Sequence, residues 1–549
     1  MAPATTGISG TADPIVTRLV AEDKVPWYKK KNLRSLYVVL FCCCMGVEMT
    51  SGFDSQLINA LQLTKYWVKY FGNGYINPKN GKDAIYPPLL GFLSSSYQLG
   101  SILGVPMAPY LNQKYGRRMS IMAGSLIMVV GALIQGFAQN VAMYIAARII
   151  LGFGIVACII SGSAMIGELG HPKERAILTS LFNASWMIGS IIACAIALAT
   201  AEIENDWSWR IPSLLQIMPS LLQICTVYLL PESPRWLVSV DREDEAFAIL
   251  TKYHAEGDAN SILVQAEMTQ IRTTIKLEME ASRQSWFEMV ATAGMRRRVL
   301  LAIMIGLFTQ MSGNTLLSYY SGLLFNMMGY TTTYATTRIN IANQCWSLIN
   351  GTIFAIAVGR FSRRLMFMTS AASMCLCFVG MTVAFYVLRV SNDAKQHNEQ
   401  AGIAALFFYF AYSPCYNMGN NALTYTYLIE IFPYAVRTRG IGIQQIFGKA
   451  GGFFSSNVNP VALDALDWKF FAIYVGWIAF EGIFIYFMYP ETHGRTLEEL
   501  TFLFEDKDLA ERANAAVTKQ LQSGGDMPQI QDDSKIMSVE QTEVSNKTL

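Results

Sequence analysis

The sequence predicts an all-α membrane protein whose twelve membrane-spanning helices form two similar halves. Its 549 residues are 52% hydrophobic and 15% charged, with a mean hydropathy of +0.30, whereas soluble domains carry about 25% charged residues. About 20 apolar residues cross a bilayer as a helix, and open sheet edges do not occur in lipid. Short motifs also recur in the same order along the chain, which indicates an internal repeat.

The apolar windows and the repeated motifs together predict where each half ends. PESPRWL begins at Pro231, after the sixth window, and PETHGRTLEEL begins at Pro490, after the twelfth. YGRR at 115–118 likewise returns as FSRR at 361–364. Each Pro-Glu motif therefore closes a half of six helices. The windows lie near 36–61, 89–110, 119–137, 141–166, 177–201, 211–230, 299–324, 341–358, 365–388, 401–429, 441–461 and 470–489.

These boundaries divide the chain into five segments. We expect a cytoplasmic N-terminal segment at 1–34, a first half at 35–230, a cytoplasmic linker with surface helices at 231–298, a second half at 299–489 and a tail at 490–549. The linker is rich in Glu, Lys and Arg at helical spacing. The polar tail, with Gly, Ser and Gln, is typical of largely disordered chain.

Lysine and arginine concentrate in the loops on one side of the predicted bundle. Such loops face the cytoplasm, so we expect a multi-pass protein with both termini on that side. Four lysines between the first two spans weaken this signal without reversing it. The positive loops contain residues 29–34, 114–118, 360–364 and 437–439.

Composition also excludes several classes of function. The net charge is +2 and no basic stripe is present, so no nucleic-acid partner is expected. The ten cysteines lie in apolar runs, typical of small buried hydrophobes, and with four histidines they show no spacing for a metal, a cofactor or a disulfide framework. No nucleophile–base pattern or nucleotide loop indicates an enzyme.

Several motifs resemble the sugar porter family of the major facilitator superfamily. They are PESPRWL (231–237), PETHGRTLEEL (490–500), RIILGFG (148–154), QMSGNTLLSYY (310–320) and EIFPYAVRTRG (430–440). The resemblance covers about residues 45–505 and implies the major facilitator fold. Within the family, GFDSQLINALQ (52–62), GELGHPKERA (167–176) and SGNTLLSYY (312–320) are similar to fungal lactose and disaccharide permeases.

This resemblance implies import of a mono- or disaccharide by proton symport with alternating access. The partners would be the sugar, the proton and the lipid bilayer, and the protein would be a monomer in the plasma membrane. Three alternatives stay open: an uncoupled sugar facilitator, an exporter of a sugar-like metabolite, and a nutrient sensor on the same scaffold. The short tail argues against the sensor, and an acid in the first span argues against the facilitator.

The chain departs from the family pattern at several positions. Gln113 stands where the first-half loop has an Asp, and Ser362 replaces the glycine of the second-half copy. Gly448 and Lys449 replace the Asn-Trp pair of the eleventh span, and Tyr425 replaces a Trp of the tenth. Sugar recognition and gating are therefore expected to differ in detail.

The residues expected to carry proton coupling are Asp54, Arg148 and Glu48. An ionisable group inside a span usually faces a cavity or a partner. The resemblance implies that Asp54 takes the proton and that Arg148 modulates it, and the alternative is a structural ion pair between two helices. Glu48 is a rival acid, because it begins a polar face that continues through Ser51 and Ser55. Lys449 on the eleventh span is a further charge that could neutralise an acid, and the alternative is a position at the edge of a loop.

Polar faces on the seventh, eighth and tenth spans predict the substrate site. Amides provide both donors and acceptors for sugar hydroxyls, and aromatic faces stack on sugar rings or gate them. The alternative is ordinary hydrogen bonding between helices. The resemblance adds a position on the fifth span. The candidates are Asn183, Gln310, Asn314, Tyr319, Tyr320, Asn343, Asn350, Asn421 and Tyr425.

Charged residues at the cytoplasmic helix ends predict a gate that holds the outward-facing state closed inside. We expect Glu168 to pair with Arg175, Glu430 with Arg437, and Glu232 with Arg235. The alternative is a set of ordinary solvated loops. The complete set of gate candidates is Arg117, Glu168, Arg175, Glu232, Arg235, Arg363, Glu430, Arg437 and Glu491.

Overall fold

The computed structural model describes eleven stretches of the chain. These are residues 25–62, 64–72, 74–76, 83–200, 202–269, 271–272, 288–330, 332–357, 361–393, 398–432 and 437–492. The expectations for residues 1–24 and for the tail after 492 lie outside the described residues. So do the side chains of Arg175, Asn183, Tyr425 and Arg437. All described residues belong to one compact unit, Met1–Leu497.

Helices occupy all twelve predicted spans, and we number them α1 to α12. They are α1 Lys31–Leu61, α2 Pro87–Gly104, α3 Met107–Gly136, α4 Val141–Leu169, α5 Arg175–Thr200, α6 Trp207–Leu215 with Ile217–Val227, α7 Ala293–Met311 with Asn314–Tyr319 and Ser321–Met327, α8 Thr333–Ala357, α9 Arg363–Asp393, α10 Glu399–Tyr416 with Asn417–Asn421 and Ala422–Ile431, α11 Arg437–Leu466 and α12 Lys469–Met488. The described residues therefore have the all-α arrangement of spans that the sequence predicts.

Six of the described helices are long and apolar enough to cross a membrane by composition alone, namely α1, α3, α4, α7, α9 and α12. Among the other spans, α8 and α11 carry buried amides. On α8, Asn340, Gln344 and Asn350 are buried, and on α11 Gln444 and Asn459 are buried. Helices that place amides in the interior of a bundle lose apolar content, because their polar faces line the space between helices.

Two glycines interrupt spans at points that shape the interior. Gly116 in α3 has φ 86° and ψ 173°, a region that is essentially restricted to glycine. Gly313 in α7 has φ 98°, and an added Cβ there would lie 2.2 Å from the Phe378 ring. In α10, Pro414 precedes a π-helical turn, Asn417–Asn421. The breaks in α7 and α10 expose backbone groups and re-aim side chains inside the bundle. The break at Gly116 lies instead beside Glu232, at the end of the bundle that carries the linker.

Close helix contacts in the first half depend on glycines. An added Cβ at Gly52 would lie 1.9 Å from the Trp186 carbonyl oxygen, so α1 and α5 approach backbone to backbone. At Gly100 the same atom would lie 2.1 Å from the Ile149 oxygen, between α2 and α4. Small residues let membrane helices pack at this short distance.

The linker folds against the ends of α1 and α4. Helices Pro234–Ser239 and Glu243–His254, followed by a helix at 262–269, share a small apolar cluster. Glu256 accepts hydrogen bonds from the backbone N–H groups of Asn32 and Leu33 at 3.1 Å, and so caps α1. The end of the bundle that carries this linker is called the charged end below, and the opposite end is called the far end.

Candidate substrate cavity and buried acids

A cavity of about 270 Å³ lies between the two halves, close to the lower end of the usual range for small-ligand pockets, about 300–1,000 Å³. Helices α1 and α5 of the first half face α7, α8, α10 and α11 of the second. Amides, hydroxyls and aromatic rings dominate its wall. The lining includes Glu48, Ser51, Trp186, Gln310, Asn314, Ser318, Asn343, Gln344, Ser347, Tyr412, Tyr416, Asn417, Asn420, Asn421, Gln444 and Lys449.

Four predicted substrate residues line this cavity. Gln310, Asn314, Asn343 and Asn421 all contribute to its wall. Each keeps a local hydrogen bond: Asn421 Nδ2 donates to Asn417 Oδ1 at 2.9 Å, and Ser318 Oγ donates to Asn314 Oδ1 at 3.2 Å. The local bonds orient these amides and leave further donor and acceptor capacity for a ligand.

Three other predicted residues lie behind the wall. Asn350 accepts from Asn417 Nδ2 at 2.5 Å and donates to Ser413 Oγ at 3.2 Å, so it orients a lining residue. Tyr320 is fully buried, and its hydroxyl donates to the Ser456 carbonyl at 2.6 Å. Neither Tyr319 nor Tyr320 belongs to the described lining of the cavity.

Tyr319 instead helps to close the far end. Its hydroxyl donates to Ser55 Oγ at 3.2 Å and accepts from Gln98 Nε2 at 3.4 Å, while its carbonyl accepts from Gln62 Nε2 at 3.0 Å. Asn59 Nδ2 donates to Ser321 Oγ at 2.6 Å beside it. All four bonds join the first half to α7, so the described residues close the far end at this point.

Asp54 and Arg148 form a buried pair inside the first half. Arg148 Nη1 lies 3.6 Å from Asp54 Oδ1, and the two side chains are 0% and 3% exposed. The Arg148 guanidinium also lies over the Tyr97 ring, 5.6 Å from its centroid. Neither Asp54 oxygen has a hydrogen-bond partner among the described residues. The pair is therefore held by charge, close to the Tyr319 seal and outside the described cavity lining.

Glu48 and Lys449 face the same cavity from opposite halves. Glu48 lies on α1 and Lys449 on α11, and both line the wall. The carboxylate and the ammonium attract each other across the cavity. A ligand between them meets a carboxyl group from the first half and an amine from the second.

At the charged end, the first half carries a compact charge network. Arg117 Nη2 donates to Glu168 Oε1 at 3.0 Å, and the Ser233 hydroxyl donates to the other oxygen of Glu168. Glu232 accepts from the backbone N–H groups of Arg117 at 3.1 Å and Arg118 at 3.3 Å. Burial raises the pKa of Glu232, and these backbone donors oppose that shift.

The second half repeats this network almost atom for atom. Arg363 Nη2 donates to Glu430 Oε1 at 3.2 Å, and Thr492 Oγ1 donates to Glu430 Oε2 at 2.6 Å. Glu491 accepts from the backbone N–H groups of Arg363 at 2.9 Å and Arg364 at 3.1 Å. The sequence repeat therefore encodes a repeated cluster of side chains.

Among the described residues, Glu168 pairs with Arg117, and Glu232 binds backbone donors. Glu232 does so because the helix start after Gly116 has free N–H groups that attract a carboxylate. The Arg175 side chain lies outside the described residues, so its pairing with Glu168 stays a prediction. Arg235 is half-buried on the next helix, and its role stays a prediction.

Sequence reasoning missed one buried acid, Glu481 on α12. It is 0% exposed, its Oε2 accepts from Ser312 Oγ at 2.6 Å, and its Oε1 accepts from Asn420 Nδ2 at 3.2 Å. A lone acid in the apolar run WIAFEGIF was the available signal, because intramembrane acids are rare and usually functional.

The comparisons with known proteins agree with this architecture. Residues 39–504 match the family described as Sugar (and other) transporter. The chain is 25% identical over 483 residues to the low-affinity glucose transporter HXT3 of Saccharomyces cerevisiae, covering 86% of this chain and 83% of that one. It is 27% identical over 465 residues to the MFS-type transporter criB of Aspergillus cristatus, covering 84% and 92%.

Solved structures show the same fold. The proton:xylose symporter XylE bound to 6-bromo-6-deoxy-D-glucose matches with a TM-score of 0.69 and 22% identity, over 86% of this chain and 99% of that one. The inward-open conformation of XylE from E. coli matches with a TM-score of 0.68 and 21% identity, over 86% and 100%. The family match covers most of the chain, including both repeated networks and the cavity. The chain therefore belongs to the sugar porter family of the major facilitator superfamily and is a multi-pass membrane transporter.

Proposed function

We propose that this protein imports a mono- or disaccharide together with a proton, by alternating access of one central cavity. The observation that carries the proposal is the cavity itself, whose wall combines amides and hydroxyls of the second half with Glu48, Ser51 and Trp186 of the first. A site between two halves that rock against each other is the usual design of such carriers.

The chemistry of the wall suits a sugar. Gln310, Asn314 and Asn421 present amide groups from two helices, and each amide can donate and accept. Trp186 of the first half and Tyr412 of the second add aromatic surface to the wall. The resemblance to fungal disaccharide permeases supports a disaccharide, and the volume of about 270 Å³ is the space left when the far end is closed.

The proton site that we propose is Asp54. Its carboxylate faces the Arg148 guanidinium at 3.6 Å, and it also interacts electrostatically with Tyr319, whose hydroxyl takes part in the seal of the far end. Burial favours a neutral carboxyl group and a nearby guanidinium favours the charged one. Opening the far end would withdraw Tyr319 and change the water around the pair, so protonation would follow the conformation. Glu48, which lines the cavity, is the second candidate.

The two charge networks would stabilise the charged end in one of the transport states. We propose that this end faces the cytoplasm with both termini, and that the protein works as a monomer in the plasma membrane. The five segments expected from the sequence would then correspond to two moving halves, a linker that restrains α1 and α4, and two terminal tails. The hydrogen bonds of Glu256 to α1 support the restraining role of the linker.

Uptake measurements test the proposal. Labelled monosaccharides and disaccharides would be offered to cells without sugar carriers of their own, with external pH recorded and a protonophore as comparison. We expect uptake with alkalinisation of the medium, and accumulation that the protonophore abolishes. Protein that reaches the surface but carries no sugar would overturn the proposal.

Asp54→Asn sharpens the test. This variant should retain exchange of sugar across the membrane and lose accumulation, because the proton site is gone. Asp393→Asn is the matched control, since Asp393 is an acid at the far end of α9 whose side chain is 63% exposed. Wild-type accumulation by Asp54→Asn would remove Asp54 from the coupling mechanism.

An uncoupled facilitator is the second candidate function. The observation that favours it is the separation of Asp54 from the described cavity lining, which allows the Asp54–Arg148 pair to act as a structural link between α1 and α4. Uptake that ignores the protonophore and stops at equal concentrations on both sides would support this candidate.

A further inference from the structure

A buried carboxyl group in the second half is arranged as a proton-binding site. Glu481 lies on α12 and is fully buried, and the described residues place no lysine or arginine within 4.0 Å of it. Its two oxygens face Ser312 of α7 and Asn420 of α10 at 2.6 and 3.2 Å. An unpaired charge in a low-dielectric interior is costly, and such a group binds a proton instead.

Among the described residues, the groups around Glu481 include no opposing charge. The titratable side chains near this part of α12 are Tyr412 on α10, Tyr489 after α12 and Cys375 on α9. All three types are ordinarily neutral at physiological pH. Asp54 in the first half differs, because it has an arginine at 3.6 Å. The two buried acids therefore lie in different electrostatic surroundings, one beside an arginine and the other among neutral groups.

Ser312 allows the cluster to hold either form of Glu481. Its single hydroxyl hydrogen lies within reach of both Glu481 Oε2 and the Phe308 carbonyl oxygen. When Glu481 is charged, Ser312 donates to it. When Glu481 is neutral, its own O–H donates to Ser312 Oγ, and Ser312 turns its hydrogen to Phe308. One proton from water is added, and no other bond changes.

Protonation of Glu481 would affect the cavity wall through three contacts. Ser312 directly precedes Gly313, the break in α7 that positions Asn314. Asn420 belongs to the π-helical turn of α10 that also contains Asn417 and Asn421, and it lines the cavity itself. The Tyr412 hydroxyl, also in the wall, donates to the Ser312 carbonyl at 3.1 Å.

We propose that Glu481 is a second proton-binding site, in the second half of the protein. Its protonation changes the hydrogen bonds of Ser312 and Asn420, and through them the orientation of the amides that face the substrate. The effect of Glu481 on transport rests on the proposed function, whereas proton binding by Glu481 does not. The two claims can therefore be tested separately.

Infrared spectroscopy of the purified full-length protein in lipid tests the site without a substrate. The carbonyl band of a protonated carboxyl group should disappear from the wild type as pH rises. Glu481→Gln should lack one component of this band, and Asp54→Asn should retain that component. Ser312→Ala should shift its frequency, because the neutral carboxyl group loses its acceptor. A Glu481→Gln spectrum identical to that of the wild type at every pH overturns the proposal.

Sugar counterflow tests the link to transport. We expect the ratio of wild-type rates at acidic and alkaline pH to differ from one, and the ratio for Glu481→Gln to approach one with transport retained. If the wild type carries no sugar, the proposed function fails and the infrared result still decides the proton site. If the wild type carries sugar and Glu481→Gln keeps the full pH ratio, the link of Glu481 to transport fails alone.

Discussion

The two halves of this transporter are alike at the charged end and unlike in the interior. Arg117, Glu168 and Glu232 of the first half are repeated by Arg363, Glu430 and Glu491 of the second, with ion-pair distances of 3.0 and 3.2 Å. Inside the bundle, the first half holds a charged pair, Asp54 with Arg148, whereas the second half holds Glu481 among neutral donors.

The difference separates two kinds of constraint. If the two halves rock against each other, their ends move in equivalent ways, so the same cluster of side chains is useful in both. The interiors of the two halves have different roles, since the second half supplies most of the cavity wall through α7, α8 and α10. Residues that repeat are therefore candidates for mechanical roles, and residues that do not repeat are candidates for chemistry.

The largest expected effect comes from breaking the interior pair. Arg148→Met leaves Asp54 buried without its cation, and loss of one partner of a buried pair costs about 3–5 kcal/mol. We expect low yield and a strongly reduced thermal midpoint. The double variant Asp54→Asn, Arg148→Met should recover most of that stability, because no unpaired charge remains. A double variant as unstable as the single one would contradict this account and point to lost packing of the arginine.

Breaking the repeated networks should have a smaller effect that compares the halves directly. Glu168→Gln and Glu430→Gln each weaken a charge-assisted hydrogen bond, a loss of about 1.5–3 kcal/mol. We expect a larger population with the charged end open, measured by labelling of cysteines introduced in the cavity. Glu430→Gln should have the larger effect, because its ion pair is 4% and 9% exposed and that of Glu168 is 19% and 12% exposed. Unchanged labelling in both variants would refute the gating role.

Much of this arrangement could be predicted from the sequence, and the limits have physical causes. Apolar windows located all twelve helices, because lipid imposes a minimum length of apolar chain. The sequence repeat indicated where both networks lie. It did not identify the hydrogen-bond donors of Glu232 and Glu491, because a carboxylate that caps a helix start binds backbone N–H groups, which carry no sequence signal. The position of Tyr319 was also missed, since it depends on the α7 break at Gly313. Glu481 lies in no motif, so only its isolation among apolar residues marked it.

The two halves also differ in the backbone conformation of the residue that precedes each network. Gly116 has φ 86° and ψ 173°, and an added Cβ there would lie 2.6 Å from Glu232 Oε2. The matching residue of the second half, Ser362, is not among the described residues with positive φ. Gly116→Ala should therefore cost about 1–3 kcal/mol of stability, whereas Ser362→Gly should cost much less. Thermal unfolding of the two variants in the same detergent provides the measurement, and equal losses would contradict the predicted asymmetry.

The smallest effect should arise where the halves differ outside the membrane, at the contact between the linker and α4. His254 Nε2 lies 3.2 Å from the Leu169 carbonyl oxygen, and its Nδ1 lies 2.6 Å from Glu267. The His171 ring packs against it, with centroids 5.3 Å apart.

Burial lowers the pKa of His171, so the folded state takes up its proton less readily than the unfolded chain. The stability that this histidine contributes is therefore present above its ordinary pKa, about 6.5, and is lost as pH falls below that value. We expect hydrogen exchange in the helix Glu243–His254 to increase between neutral and mildly acidic pH, after correction for intrinsic rates. His171→Asn should reduce this increase, because a neutral amide replaces the group that charges. The same increase in both proteins would exclude His171 as the source of the pH response.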